Sequence, residues 1–181
     1  MIYALDPIGK LWTTPTEKNA VVLMQMRFDG KIGFPGGLLN KGPETVAEGL
    51  NRELQEEVGF DLTKFSFSQA EHFISHVNHE LQLVTHFYVK QVNLDDFLVI
   101  EKDVLLSDEW GQETFGTIRA PMYVMEDGFR GLPVFLANRF AGNAKQQLLL
   151  AIRKYEIIPG ALIDKILDAH EKYIQGKSLL E

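Results

Sequence analysis

The chain has 181 residues, with 18 Lys and Arg against 25 Asp and Glu, a formal net charge of −7. The length suits one domain, because cores split only above roughly 250 residues, and 45% hydrophobic with 24% charged residues is a globular balance that excludes whole-chain disorder. Cysteine is absent, which excludes disulfides, thiolate metal sites and cysteine nucleophiles; no apolar run reaches the ~18 residues of a membrane span, and residues 1–6 carry no signal-peptide pattern.

In chain order, residues 20–28 (AVVLMQMRF) are apolar enough for a buried strand. Residues 31–37 (KIGFPGG) form a turn-rich break. The spacing predicts a helix over 45–58, closed by Gly59. Residues 80–92 alternate as a strand does, and 94–104 read as a short helix. Strands are expected at 113–119 and 122–125, around Pro121, followed by a loop over 128–133. Helices are expected over 134–140, 144–155 and 161–175. Strands first and helices late favour a mixed α/β sandwich over a doubly wound sheet.

On charge alone, −7 argues against a polyanionic partner. The charge is uneven, however. Residues 44–61 carry a net −5, whereas residues 138–181 carry +2. On a helix of ~100° per residue, Val46, Leu50, Leu54 and Val58 form one apolar stripe. Glu44, Glu48 and Gln55 point away from it as a solvated face, with Glu48 and Arg52 spaced for an i,i+4 pair. Glu53, Glu56 and Glu57 share a side that reaches into the stripe. Buried carboxylates at i, i+3 and i+4 are costly and mutually repulsive, and a divalent cation with oxygen ligands removes both problems. Gly49 lies on the same side, where a helix-weakening glycine allows close approach.

From Gly37 the chain reads Gly37-x6-Glu44-x7-Arg52-Glu53-Leu54-Gln55-Glu56-Glu57-Val58-Gly59-Phe60. This resembles the box of the Nudix hydrolases, with a Gly37-to-Glu44 loop one residue longer than usual. The stretches 23–30 (LMQMRFDG), 33–37 (GFPGG), 49–54 (GLNREL), 75–77 (SHV), 86–88 (HFY), 131–133 (GLP) and 147–149 (QLL) resemble one branch. That branch comprises the small-nucleolar-RNA-decapping and inosine-diphosphatase enzymes.

The resemblance implies an α/β/α sandwich with a mixed central sheet. It implies one domain over 1–181, with 161–181 as a C-terminal helical extension. It also implies Mg²⁺ or Mn²⁺ and hydrolysis of a phosphoanhydride bond in inosine or deoxyinosine diphosphate or in RNA caps. By motif matching, Glu53, Glu56 and Glu57 are metal ligands, joined by the Gly36 carbonyl and by Glu113 from a distal loop. Glu57 or Glu113 serves as the base, and Arg52 orients the carboxylates. Arg27, Phe34, Asn143 and Gln147 match substrate-binding positions. Taken alone, Phe34 also reads as core, Asn143 as a helix cap, Gln147 and Glu113 as surface residues, and His76 and His86 as satisfied core histidines.

Branch members begin earlier, with a strand and a base-contacting histidine; here that strand would start at Met1, and no residue matches the histidine. The branch further implies a homodimer in the nucleus (nucleolus and nucleoplasm) and cytoplasm, without a membrane. The alternatives are an ADP-ribose or dinucleotide pyrophosphatase, or a non-catalytic RNA- or protein-binding module, since the tail after Pro159 is similar to that of a sister group lacking the glutamates. Lys145, Arg153, Lys154, Lys165, Lys172 and Lys177 read as solvated helix faces rather than as one patch.

Overall fold

The computed structural model describes residues 1–6 and 19–178. Strand β2 (Ala20–Arg27) is the organising element, and six of its eight residues are buried. It pairs antiparallel with β1 (Ile2–Leu5), β3 (Ile32–Gly33) and β7 (Thr114–Pro121), while β1 pairs in parallel with β6 (Lys90–Gln91). The expected mixed sheet is therefore present. A separate antiparallel ribbon is made by β4 (His72–Asn78) and β5 (Leu83–Tyr88).

Alternation along β2 feeds two cores. Val22 and Met24 pack with Leu148 and Ile152 of α4 (Ala144–Lys154) and with Ile163 and Ile166 of α5 (Gly160–Ser178). Val21 and Leu23 face Leu54 and Val58 of α1 (Val46–Val58) and Phe97 and Ile100 of α2 (Leu94–Asp103). Burying both faces of one sheet beneath helices gives the α/β/α layering. His170 of α5 donates through Nδ1 to the Pro133 carbonyl in α3 (Leu132–Phe135) and accepts from Lys145 Nζ of α4, both at 2.9 Å. Residues 179–181 of the expected extension lie outside the described residues.

Three expectations need correction, and one strand lies where none was expected. Strand β4 was not anticipated: its side chains are half-buried or exposed on both faces, so no alternation marks it. The strand expected over 80–92 begins only at Leu83, because residues 79–82 form a turn with Gln82 at φ 49°, and it is divided at Val89 into β5 and β6. Residues 122–125 hold only an isolated bridge from Val124 to Gly131. The helix expected over 134–140 runs instead from Leu132 to Phe135, with Pro133 in its first turn, where a missing N–H costs nothing.

Candidate metal and nucleotide site

Helix α1 is capped at both ends by its own sequence. Thr45 accepts from the Glu48 N–H, Glu48 accepts from the Thr45 N–H, and Gly59 takes the left-handed conformation that ends the helix. Glu48 is thereby spent on the cap, so the expected Glu48–Arg52 pair does not form. Arg52 instead reaches Glu44 (3.0 Å), Glu53 (2.8 Å), Glu56 (2.9 Å) and the Leu38 carbonyl (3.1 Å). One guanidinium with a fixed fork of donors can hold all four acceptors, so Glu44 is part of the clamp and not a free solvated residue.

The loop over 33–37 lies against this helix. A Cβ at residue 37 would lie 2.2 Å from Glu53 Oε2, so any larger residue there pushes the Glu53 carboxylate out of its place. At Gly49 the close neighbour is the Leu39 side chain, 2.3 Å from where a Cβ would stand. The Gly36 N–H donates to Glu57 Oε2 at 2.7 Å, and Gln25 Nε2 donates to the same oxygen at 3.2 Å. Glu57 is 1% exposed and Gln25 is 0% exposed. Burial pushes the Glu57 carboxyl up to about 7; the two hydrogen bonds oppose this, and repulsion from Glu53 and Glu109 adds to it.

Carboxylate oxygens of Glu57, Glu109 and Glu113 lie within 4.8 Å of one another. Glu113 is exposed, immediately before β7, and Glu109 belongs to the preceding loop. The Glu109 N–H donates to the Glu56 carbonyl at 3.2 Å, tying this loop to α1. Burial, then Glu113, Glu56 and Glu53, raise the Glu109 carboxyl, and its Oε2 is buried with no hydrogen-bond partner. Sequence periodicity did not single out Glu109, which sits in an irregular turn. Its signal was the second carboxylate, four residues before Glu113, in the DEWGQE stretch.

An orphaned carboxylate oxygen beside two further carboxylates is a donor set that fits a hard divalent cation. The structure thus brings Glu57 and Glu113 together with Glu109, and holds Glu53 and Glu56 on Arg52 at the adjoining turn.

A cavity of about 680 Å³ opens beside the 33–37 loop, within the ~300–1,000 Å³ range of ligand sites. Arg27, Phe34, Gly36, Asn143 and Gln147 all line it. Phe34 is half-buried, with its ring 4.9 Å from that of Phe87. Asn143 stands at the N-cap of α4 but makes no side-chain cap bond, and Gln147 is buried; the capping and solvent-exposed readings are both corrected. The Arg27 guanidinium lies 5.4 Å from the Phe28 ring centroid, and its Nε is 3.5 Å from Asp29 Oδ1. His86 is exposed at the cavity wall and His76 is half-buried with an unpartnered Nδ1, so neither is a satisfied core histidine. Lys145 meets His170 and Arg153 pairs with Asp164 at 2.7 Å, which leaves the C-terminal basic residues no single patch formed by these two. The Lys177 side chain lies outside the described residues. Among the described residues no helix is long and apolar enough to cross a membrane.

An acidic helix, clamped by its own arginine and roofed by glycines at a nucleotide-sized cavity, marks the chain as a Nudix hydrolase. Comparison with known proteins narrows the assignment. A family model described as Nudt16-like, U8 snoRNA-decapping enzyme-like, matches residues 1–158, and the chain belongs to that family. It is 37% identical to the U8 snoRNA-decapping enzyme of Mus musculus over 166 residues, 92% of this chain and 84% of that protein. Against the enzyme of the same name from Homalodisca vitripennis, identity is 47% over 120 residues, 66% of this chain and 64% of that protein. A Tudor-interacting repair regulator protein from Gallus gallus is 37% identical over 173 residues, 95% of this chain and 53% of its own length.

Proposed function

We propose that this chain is a metal-dependent hydrolase of nucleotide phosphoanhydride bonds that removes RNA caps and converts inosine and deoxyinosine diphosphates to monophosphates. The observation that carries the reading is the convergence of Glu57, Glu109 and Glu113 beside a cavity lined by Phe34, Asn143 and Gln147. The decapping part draws on the names of its relatives.

Glu57, Glu109 and Glu113, with Glu53, Glu56 and the Gly36 carbonyl, would hold Mg²⁺ or Mn²⁺. Bound there, such ions neutralise phosphate charge and lower the pKa of a coordinated water. Arg52 keeps Glu53 and Glu56 oriented. Gly36 and Gln25 fix the Glu57 carboxylate. A carboxylate, that of Glu57 or Glu113, takes the proton of the attacking water. Phe34 stacks on the base. The Asn143 and Gln147 amides offer both the donor and the acceptor that a hypoxanthine edge needs, and Arg27 neutralises phosphate. Residues 1–181 act as one domain, working as a homodimer in the nucleus and cytoplasm.

The test is a chromatographic panel of capped RNA, inosine diphosphate, ADP-ribose and dinucleotide polyphosphates with Mg²⁺ or Mn²⁺. Cleavage of capped RNA and inosine diphosphate above the others supports the reading; a preference for ADP-ribose moves the substrate assignment. A second, non-catalytic reading is favoured by the long match to Tudor-interacting repair regulators, which reaches into α5. Absence of Mn²⁺ binding would select it.

A further inference from the structure

Strands β4 and β5 pair through a bulge. Ser75 stands opposite His86 and Ile74 opposite Phe87, but the residue opposite Tyr88 is His72, which leaves Phe73 as the extra residue. In a regular strand, residues three apart point to opposite faces. One inserted residue reverses that parity, so His72 and Ser75 both lie on the face that carries His86 and Tyr88. The ring contacts agree. The His72 ring meets that of Tyr88 edge-on at 5.2 Å and lies 6.0 Å from that of His86, while Phe73 turns the other way, to Phe87 at 6.3 Å. His76, paired with Thr85, belongs to that other face.

The bulge leaves two imidazoles converging on one point. His72 Nε2 lies 2.9 Å and His86 Nδ1 2.8 Å from the same Ser75 Oγ. Ser75 and His86 are exposed and His72 is half-buried, so an ion reaches the point from solvent. Two imidazoles that share one metal through bonds of about 2.0–2.1 Å have ring centroids about 5–6 Å apart. These two rings already stand at the edge of that range, so a small side-chain rotation closes them. Their nitrogens also distinguish the pair from the carboxylates of Glu57, Glu109 and Glu113. Imidazole suits Zn²⁺, Cu²⁺ and Ni²⁺, whereas carboxylates and carbonyls suit Mg²⁺ and Mn²⁺.

We propose that His72 and His86 form a second metal site, which binds a divalent ion of the imidazole-preferring class, Zn²⁺ foremost, through His72 Nε2 and His86 Nδ1. The Ser75 hydroxyl, already between the two rings, supplies an oxygen ligand. A tetrahedral ion then keeps one position for water. Because His86 also lines the cavity, the ion stands at the cavity wall and presents its charge to whatever the cavity holds. The site shares no residue with the carboxylate set, and it does not depend on the hydrolytic reading given above.

The test is calorimetry with Zn²⁺, in excess Mg²⁺, on the wild type and on His72→Phe, which keeps a ring against Tyr88 and removes the nitrogen. The wild-type titration is expected to contain one Zn²⁺ binding event that His72→Phe lacks or shows weakened by about tenfold or more, at least the cost of losing a partner that only orients a ligand. His79→Gln, in the turn that joins the two strands, should bind as the wild type does. Paramagnetic resonance with Cu²⁺ as the probe gives a readout that a merely structural role would not move. Coupling to two imidazole nitrogens in the wild type, reduced in His72→Phe while circular dichroism is unchanged, supports the site. Superimposable Zn²⁺ titrations of the wild type and His72→Phe overturn the proposal, and so does an equal loss of binding in His79→Gln.

Discussion

Gln25 and Glu57 meet in the floor of the site, the Gln25 amide donating to Glu57 Oε2 across 3.2 Å with neither side chain open to solvent. The Gly36 N–H donates to that same oxygen. Both donors meet at one oxygen, so together they fix the orientation of the Glu57 carboxylate beside Glu109 and Glu113. Gln25 does so from β2, a strand that carries none of the Nudix glutamates.

Replacing Gln25 by Met keeps the volume and removes the donor. Partners that orient a metal-binding group are worth roughly 10–100-fold in affinity. Gln25→Met should weaken Mn²⁺ binding, followed by calorimetry, by about tenfold, with near-normal circular dichroism. Unaltered Mn²⁺ affinity would show that Gln25 only fills space.

Arg52 holds three carboxylates and one carbonyl at once. A lysine has the charge but not the planar fork. Arg52→Lys should lower kcat by about 100-fold, because Glu53 and Glu56 lose their fixed orientation. A variant that keeps more than half the wild-type rate would show that charge alone suffices.

Gly37 tests the roof of the site. A methyl group there collides with the Glu53 carboxylate, and that side chain can swing aside while the sheet stays intact. Gly37→Ala should therefore fold with a melting temperature within a few degrees of wild type and lose most of its activity. Wild-type turnover would show that Glu53 has no fixed place.

Acid stability has a separate source. Burial raises the Glu71 carboxyl, but Lys90 and the Ser68 cap outweigh it and hold it at about 2, against an ordinary 4.5. A carboxyl depressed in the folded state contributes stability above its unfolded value and loses it as pH falls toward the folded one. In urea unfolding, Glu71→Gln should cost on the order of 1–2 kcal/mol at pH 6, and the gap to wild type should close between about pH 4.5 and 2. A gap that does not depend on pH would refute the assignment.

Regular elements with strong end signals were legible from the sequence. Gly59 closes α1 where the sequence places its end, and the i,i+4 stripe of Val46, Leu50, Leu54 and Val58 placed Leu54 and Val58 in the core. The same periodicity placed Glu57 toward the interior, where it is buried. What escaped depends on long-range contacts. Strand β4 is half-exposed and gains its identity from pairing with β5. Glu109 sits in a turn, and only the bond to the Glu56 carbonyl carries it to α1. Glu44 looked solvated because its partner lies eight residues away, beyond the i,i+4 spacing that helix reasoning weighs.

The most direct measurement is Mn²⁺-dependent release of inosine monophosphate from inosine diphosphate by wild type and by Glu57→Gln, run side by side. Turnover by the wild type that requires the metal, and its fall by about 1,000-fold or more in Glu57→Gln, is the predicted result. A metal-binding wild type without turnover, or an unimpaired Glu57→Gln, would contradict the assignment of these carboxylates to phosphoanhydride hydrolysis.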